Sequence, residues 1–148
     1  LVIVAISILL FIRQSVQRSD LTKKDASTVP VRIGTQTLSV EVVTTAETIT
    51  KGLGSRSAIG SDGMLFVMQK RDIPYFWMKD MQFDLDFLWI DRDKIVDITA
   101  NVPAQTGAAD SELRVYAPKV PVTHVLEIPA GDSRKRNIAI GDTVSIPQ

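Results

Sequence analysis

A mainly β fold, a compact sandwich- or barrel-like domain with one or two short helices, is what three features of this 148-residue sequence predict. Short alternating or wholly apolar runs recur along the chain, and turn residues end each of them. Helix-start signals are few. A hydrophobic content of 45% is enough to fill one core.

Leu1–Ile12 reads LVIVAISILLFI and is closed by Arg13. As a helix it would span about 18 Å, short of the roughly 30 Å apolar core of a bilayer. The expected division is therefore a truncated membrane or signal segment over 1–12, a polar linker over 13–29 and a β domain over 30–148. Without an Ala-x-Ala-like site after the run, a retained anchor is favoured over a cleaved signal. The basic residues that follow it would hold the domain in the cytoplasm by the positive-inside rule, unless stronger charges lie upstream.

Val31–Val43 is expected to form a hairpin about Gly34-Thr35, with Leu38, Val40 and Val42 alternating against Ser39 and Glu41. Thr44-x-x-Glu47 matches a capping box, predicting a helix from Thr45 to Lys51 that stops at Gly52 or Gly54. Ser61-Asp62-Gly63 reads as a turn and Met64–Met68 as a strand buried on both faces. Gln69–Pro74 reads as a charged loop, followed by a strand starting at Tyr75-Phe76-Trp77. Leu85–Ile90 and Ile95–Ile98 form a hairpin about Asp91-Arg92-Asp93. Asn101–Glu112 is a polar loop, Thr123–Ile128 a strand, Pro129-Ala130-Gly131 a turn and Val144–Ile146 the last strand.

Charge limits the function classes. The first 29 residues hold four bases (Arg13, Arg18, Lys23, Lys24) and two acids (Asp20, Asp25), leaving a net charge of −2 on the remainder. A nucleic-acid binder carries a basic excess, so no nucleic-acid partner is expected. The chain has no cysteine, which removes disulfides, thiolate catalysis and Cys-based metal sites. The single histidine, His124, lies in a strand, and no G-x-S-x-G elbow accompanies it. Gly52-Leu53-Gly54 lacks the third glycine of a dinucleotide fingerprint. Asp91/Asp93 and Asp84/Asp86 could each give calcium two ligands, but the other loop positions are missing. No metal and no cofactor are expected. Lys70-Arg71 and Arg134-Lys135-Arg136 read as solvated surface.

The unusual segment is Phe76–Ile90, which holds both tryptophans and threads Lys79, Asp80, Asp84 and Asp86 through aromatic and aliphatic residues. On a strand, Asp84 and Asp86 share a face with Leu88 and Ile90, with Cα atoms about 7 Å apart. Phe83, Leu85, Phe87 and Trp89 line the other face. Asp86 is then at least partly buried and needs a cation or several amide donors. Arg56 and Lys79 are the candidate cations.

Glu47, Gly52-Leu53-Gly54-Ser55-Arg56, Gly63-Met64-Leu65-Phe66, Phe76-Trp77-Met78-Lys79-Asp80-Met81, Leu85-Asp86, Val125-Leu126-Glu127, Gly131 and Gly141-Asp142 occur in that order. Over Thr35–Ile146 this series resembles the bacterial and archaeal domain-of-unknown-function family 192. The resemblance implies a compact β domain, often exported or tethered by one N-terminal hydrophobic segment, with no assigned activity. On that ground an extracytoplasmic, membrane-anchored domain is expected. Gly54 stands where the family usually has Met, and Asp84 where it often has Pro.

The candidate polar site or scaffold network comprises Arg56, Trp77, Lys79, Asp80, Asp86 and Glu127. Two functions compete for it. The first is a non-catalytic, envelope-associated binding or accessory module, whose ligand would be an envelope polymer or a protein. The second is a hydrolase, in one version carbohydrate-directed, using an Asp86-centred carboxylate pair with Tyr75 and Trp77 as a stacking platform.

Overall fold

A computed structural model describes residues 27–147; Leu1–Ile12 and nearly all of the linker lie outside them. Among the described residues, nine strands and two short helices follow in chain order: β1 (Thr28–Ile33), β2 (Gln36–Val43), α1 (Ala46–Lys51), β3 (Gly63–Asp72), β4 (Phe76–Trp77), β5 (Leu85–Asp91), β6 (Lys94–Val102), β7 (Val115–Tyr116), β8 (Val122–Pro129), α2 (Asp132–Lys135) and β9 (Val144–Ser145). A 3-10 turn, Asp110–Glu112, precedes β7. Seven strands form one sheet in the order β6-β5-β8-β3-β2-β1-β9, and β4 pairs with β7 in a separate ribbon.

The sheet curls until its edges meet at one end, which makes it a half-barrel. Lys94 at the start of β6 bridges Thr143 beside β9, and the Val144 amide donates to the Asp93 carbonyl at 2.8 Å. Closure satisfies edge amides that would otherwise invite another strand. β2 and β3 run parallel, with α1 in the crossover, as a parallel connection requires.

Central strands β3, β5 and β8 are apolar on both faces because the sheet has a core on each side. Inside the curl, Leu38, Val40, Leu65, Leu88, Leu126 and Ile128 pack together. On the outer face Met64, Phe66, Phe87, Trp89 and Val125 are covered by Leu53, Met78, Met81 and Tyr116. The expected split of β5 is observed: Leu88 and Ile90 face inward, while Leu85, Phe87 and Trp89 face outward. Each such side chain contributes about 1.5–3 kcal/mol on full burial.

The β4–β7 ribbon is fastened over the outer face by Phe76. Its ring meets Phe66 edge-on at 5.1 Å between centroids, Trp89 at 5.7 Å and Phe87 at 6.0 Å. Strand alternation then turns its neighbour Trp77 outward, 45% exposed.

Several local expectations shift. The helix cap is Thr45 rather than Thr44, and its box partner is Thr48: the Thr48 amide donates to Thr45 Oγ1 and the Thr45 amide to Thr48 Oγ1, each at 3.2 Å. Glu47 remains an acid in the first turn. β3 runs on through the supposed loop to Asp72, with a register shift against β8 between Val67 and Asp72. β6 extends to Val102, and Gly63 opens β3 instead of ending a turn.

Candidate functional site

Asp86 is fully buried, and its partners are not cations. Its carboxylate accepts from the amides of Asn101 at 2.8 Å, Gly131 at 3.0 Å and Ser133 at 3.0 Å, and from Ser133 Oγ at 2.6 Å. It therefore caps α2 from a neighbouring strand and fastens that helix and the end of β6 to β5. Burial pushes its pKa up, but the four donors outweigh it and hold the carboxyl below its ordinary range. Asn101 (φ 54°) and Gly131 (φ 81°) both adopt left-handed backbone that aims their amides at it.

The expected pairing of Asp86 with Arg56 or Lys79 is thus corrected. Of the two expected options, a cation or several amide donors, the second holds, because the α2 turn delivers three donors at no desolvation cost of a second charge. Arg56 instead makes a bidentate pair with Glu41, at 2.7 and 3.0 Å, joining the loop after α1 to β2. The Glu41 hydrogen bond raises the Arg56 pKa. Lys79 pairs with Asp110 and sits 5.4 Å from the centroid of the Trp77 ring. Asp84 is exposed and accepts from the Ala104 amide at 2.8 Å. The two carboxylates of the supposed pair are each engaged with backbone.

The structure brings Trp77, Lys79, Asp80 and Glu127 together around a different feature. A cavity of about 520 Å³ opens on the outer face between the α1 turn and the β4 segment. Phe66, Phe76, Leu53 and Met78 line its apolar part, and Tyr75, Trp77, Lys79 and Asp80 also line it. Glu127 contributes the floor from β8, where it lies in register between Met64 of β3 and Phe87 of β5. This volume falls in the range of small-ligand pockets. A second hollow of about 330 Å³ adjoins it, sharing Ser55, Lys79, Asp80 and Met81.

Glu127 is the chemically unusual group. It is only 5% exposed, and among the described residues no hydrogen bond or ion pair offsets the burial, which pushes its pKa up to about 8. At neutral pH it is therefore a mostly protonated acid: one O–H donor beside one carbonyl acceptor. The cavity wall above it is locked. The Ser55 amide donates to the Asp80 carbonyl at 2.9 Å, and both residues hold positive φ, 64° and 57°. Non-glycine residues in that conformation cost of order 1 kcal/mol each and concentrate at functional sites.

Gly54 lies between those segments. A Cβ there would meet the carbonyls of Lys51 and Lys79 at 3.2 and 3.3 Å. The aromatic pair beside the cavity differs from the other aromatics in its exposure. Tyr75 is 77% exposed, whereas Phe66, Phe87 and Trp89 are buried. His124 is held by Thr123 Oγ1 at 2.9 Å, and burial lowers its pKa; it does not line the cavity. Among the described residues no cluster of three His, Asp or Glu side chains could hold a metal.

Glu127 was visible in the sequence as an acid inside Val125–Ile128. The wall residues Leu53 and Ser55, and the partners Glu41, Asn101 and Ser133, were not assigned. Leu53 and Ser55 lie inside the Gly52–Arg56 motif and Ser133 follows Gly131, whereas nothing in the sequence marks Glu41 or Asn101 as partners.

A β half-barrel with an acid-floored, aromatic-rimmed cavity on its outer face defines the class of protein. The model of the DUF192 family, described as "Uncharacterized ACR", matches residues 29–146, and the chain belongs to that family. Two solved structures are similar. One, a protein of unknown function from Novosphingobium aromaticivorans, has 26% identity and a TM-score of 0.72, covering 84% of this chain and 89% of its own. The other, from Sinorhizobium meliloti, also has 26% identity, with a TM-score of 0.71 and coverage of 82% and 97%. Its description proposes a transcription regulator. No curated protein matches the chain.

Proposed function

We propose that this chain is an envelope-associated, membrane-tethered binding module that holds a small ligand, or one unit of a polymer, in the Glu127 cavity. One observation carries the reading: a buried carboxyl without a described partner forms the floor of an open cavity of ligand size. Among the described residues no side-chain oxygen is both sealed in protein and unpartnered, so the Glu127 carboxyl opens onto the cavity, whereas Asp86 is enclosed by protein donors. Retaining such a group is consistent with a partner that arrives from outside.

The tether rests on Leu1–Ile12 and the polar linker. Among the described residues no helix is long and apolar enough to cross a membrane, so this part of the proposal stands on sequence alone. Alkaline phosphatase fused after Gln148 reports it: an active fusion supports export, and an inactive one removes the extracytoplasmic placement. Nucleic acid remains an unlooked-for partner. The net charge beyond residue 29 is −2, and Arg56, Arg71 and Arg136 are each paired with an acid.

A fragment screen by ligand-observed NMR on the full chain tests the cavity. Hits that are lost in Glu127→Ala support it. Hits indifferent to that change, or none, would remove it. A hydrolase reading moves from Asp86 to Glu127 as the acid, with Asp80 as the other carboxylate lining the cavity. Cleavage of chromogenic glycosides that is lost in Glu127→Gln would favour it over pure binding.

A further inference from the structure

Resting on the Glu127 cavity as a binding site, we propose that its ligand class is an uncharged polyol ring, a sugar unit stacked on Trp77 with its hydroxyls on the Glu127 carboxyl.

Three observations select this chemistry. The first is the floor. A carboxylic acid offers one donor and one acceptor side by side, and two neighbouring ring hydroxyls match it by accepting one hydrogen bond and donating the other. Burial alone shifts that acid, with no protein hydrogen bond among the described residues, so a ligand's hydroxyls would break no bond to protein. The second is the wall. Tyr75 and Trp77 are two residues apart, exposed and beside the opening, and aromatic faces pack against the apolar C–H face of a pyranose.

The third observation is the rim charge, which argues against ions. Lys79 lies 5.4 Å from the Trp77 ring centroid, and its positive charge repels an organic cation brought to that ring. Lys51 lines the same opening and repels cations further. An anion fares no better, because Lys79 is engaged by Asp110 and the Asp80 carboxylate lines the same opening. The titratable groups around Glu127 are Lys51 from the α1 turn and Tyr75, Lys79 and Asp80 from the β4 segment. From the flanking strands it meets Met64 and Phe87, which carry no charge.

The ionisation of Glu127 gives the ligand class a signature. A polyol that needs the O–H donor binds with constant affinity below pH 8 and loses about tenfold per pH unit above it. A cation would show the opposite slope.

Saturation-transfer NMR on the full chain in a sugar-free detergent tests the proposal. The probes are cellotetraose, the tetramer of N-acetylglucosamine and tetramethylammonium. The expected result is saturable binding of at least one oligosaccharide, weakened about tenfold by Trp77→Ala. Glu127→Gln keeps a donor and an acceptor, so it should retain affinity within about threefold while abolishing the pH dependence. Binding of tetramethylammonium alone, strengthening with pH and lost in Glu127→Gln, would overturn the polyol and leave the cavity reading intact. If no probe binds but fragments still map to Glu127, only the ligand class falls. If neither probes nor fragments bind, both fall.

Discussion

Ser133 donates through both its backbone amide and its hydroxyl to the buried carboxylate of Asp86, the hydroxyl at 2.6 Å. With the amides of Asn101 and Gly131, this makes Asp86 the fastening between β5, the end of β6 and α2. The side chain that looked most like a catalytic acid is a structural one.

Removing its charge should therefore act on stability. Asp86→Asn places an NH2 donor among donors and should cost about 3 kcal/mol or more, while Ser133→Ala costs about 1–2 kcal/mol. Urea midpoints measure both. The Asp86 pKa is depressed in the fold. Its contribution is present above the ordinary carboxylate pKa of 3.8 and is lost as pH falls through the lower folded value. The variant should lack that part of the acid transition.

Glu127 should behave in the opposite sense. Its pKa rises from 4.5 unfolded to about 8 folded. The folded state holds the extra proton, so stability is full below pH 4.5 and declines as pH rises toward 8. Glu127→Gln removes the ionisable group and should raise stability at pH 8 by about 2–4 kcal/mol, with little effect at pH 4. Thermal melts at the two pH values check this. A functional group retained at the expense of stability is expected to show this sign.

Gly63 should tolerate no side chain. A Cβ there would lie 2.5 Å from the Glu127 carbonyl and 3.0 Å from Ile128 Cγ2. Gly63→Ala must push β3 away from β8 beneath the cavity, costing about 2–3 kcal/mol. The same variant should weaken any ligand bound over Glu127. A change in stability below about 0.5 kcal/mol, the size typical of surface substitutions, would contradict the packing described.

Arg56 and Glu41 should couple modestly. Their pair is bidentate, but the Arg56 side chain is 35% exposed. A double-mutant cycle to alanine should return about 0.5–1.5 kcal/mol, and binding at the cavity should change little.

Much of the fold is legible in the chain because strand periodicity and turn residues act locally. The β1–β2 hairpin about Gly34 and the two-faced burial of β5 both follow from alternation. The parallel pairing of β2 with β3 is a long-range choice that no local pattern encodes. In sequence Gly63 reads as a turn residue, because a glycine required for close approach of two strands looks the same as one required for φ. For the site, the pattern of Phe76–Ile90 marks Asp86 as a buried acid that needs a cation or several amide donors, without choosing between them. A short four-residue helix, α2, supplies donors from backbone, and backbone donors leave no mark in residue identity. Glu127 was recognisable as an acid among apolar residues, but the cavity above it depends on how the α1 turn meets the β4 segment.

The central claim is that Glu127 floors the cavity as a buried carboxyl without a described partner. A pH titration of its side-chain carboxyl carbon by NMR, on the full chain without added ligand, tests this most directly. The predicted midpoint is about 8, with Asp86 titrating below the ordinary carboxylate range in the same spectra. A Glu127 midpoint at the ordinary 4.5 would mean the group is solvated or paired, and would contradict the account.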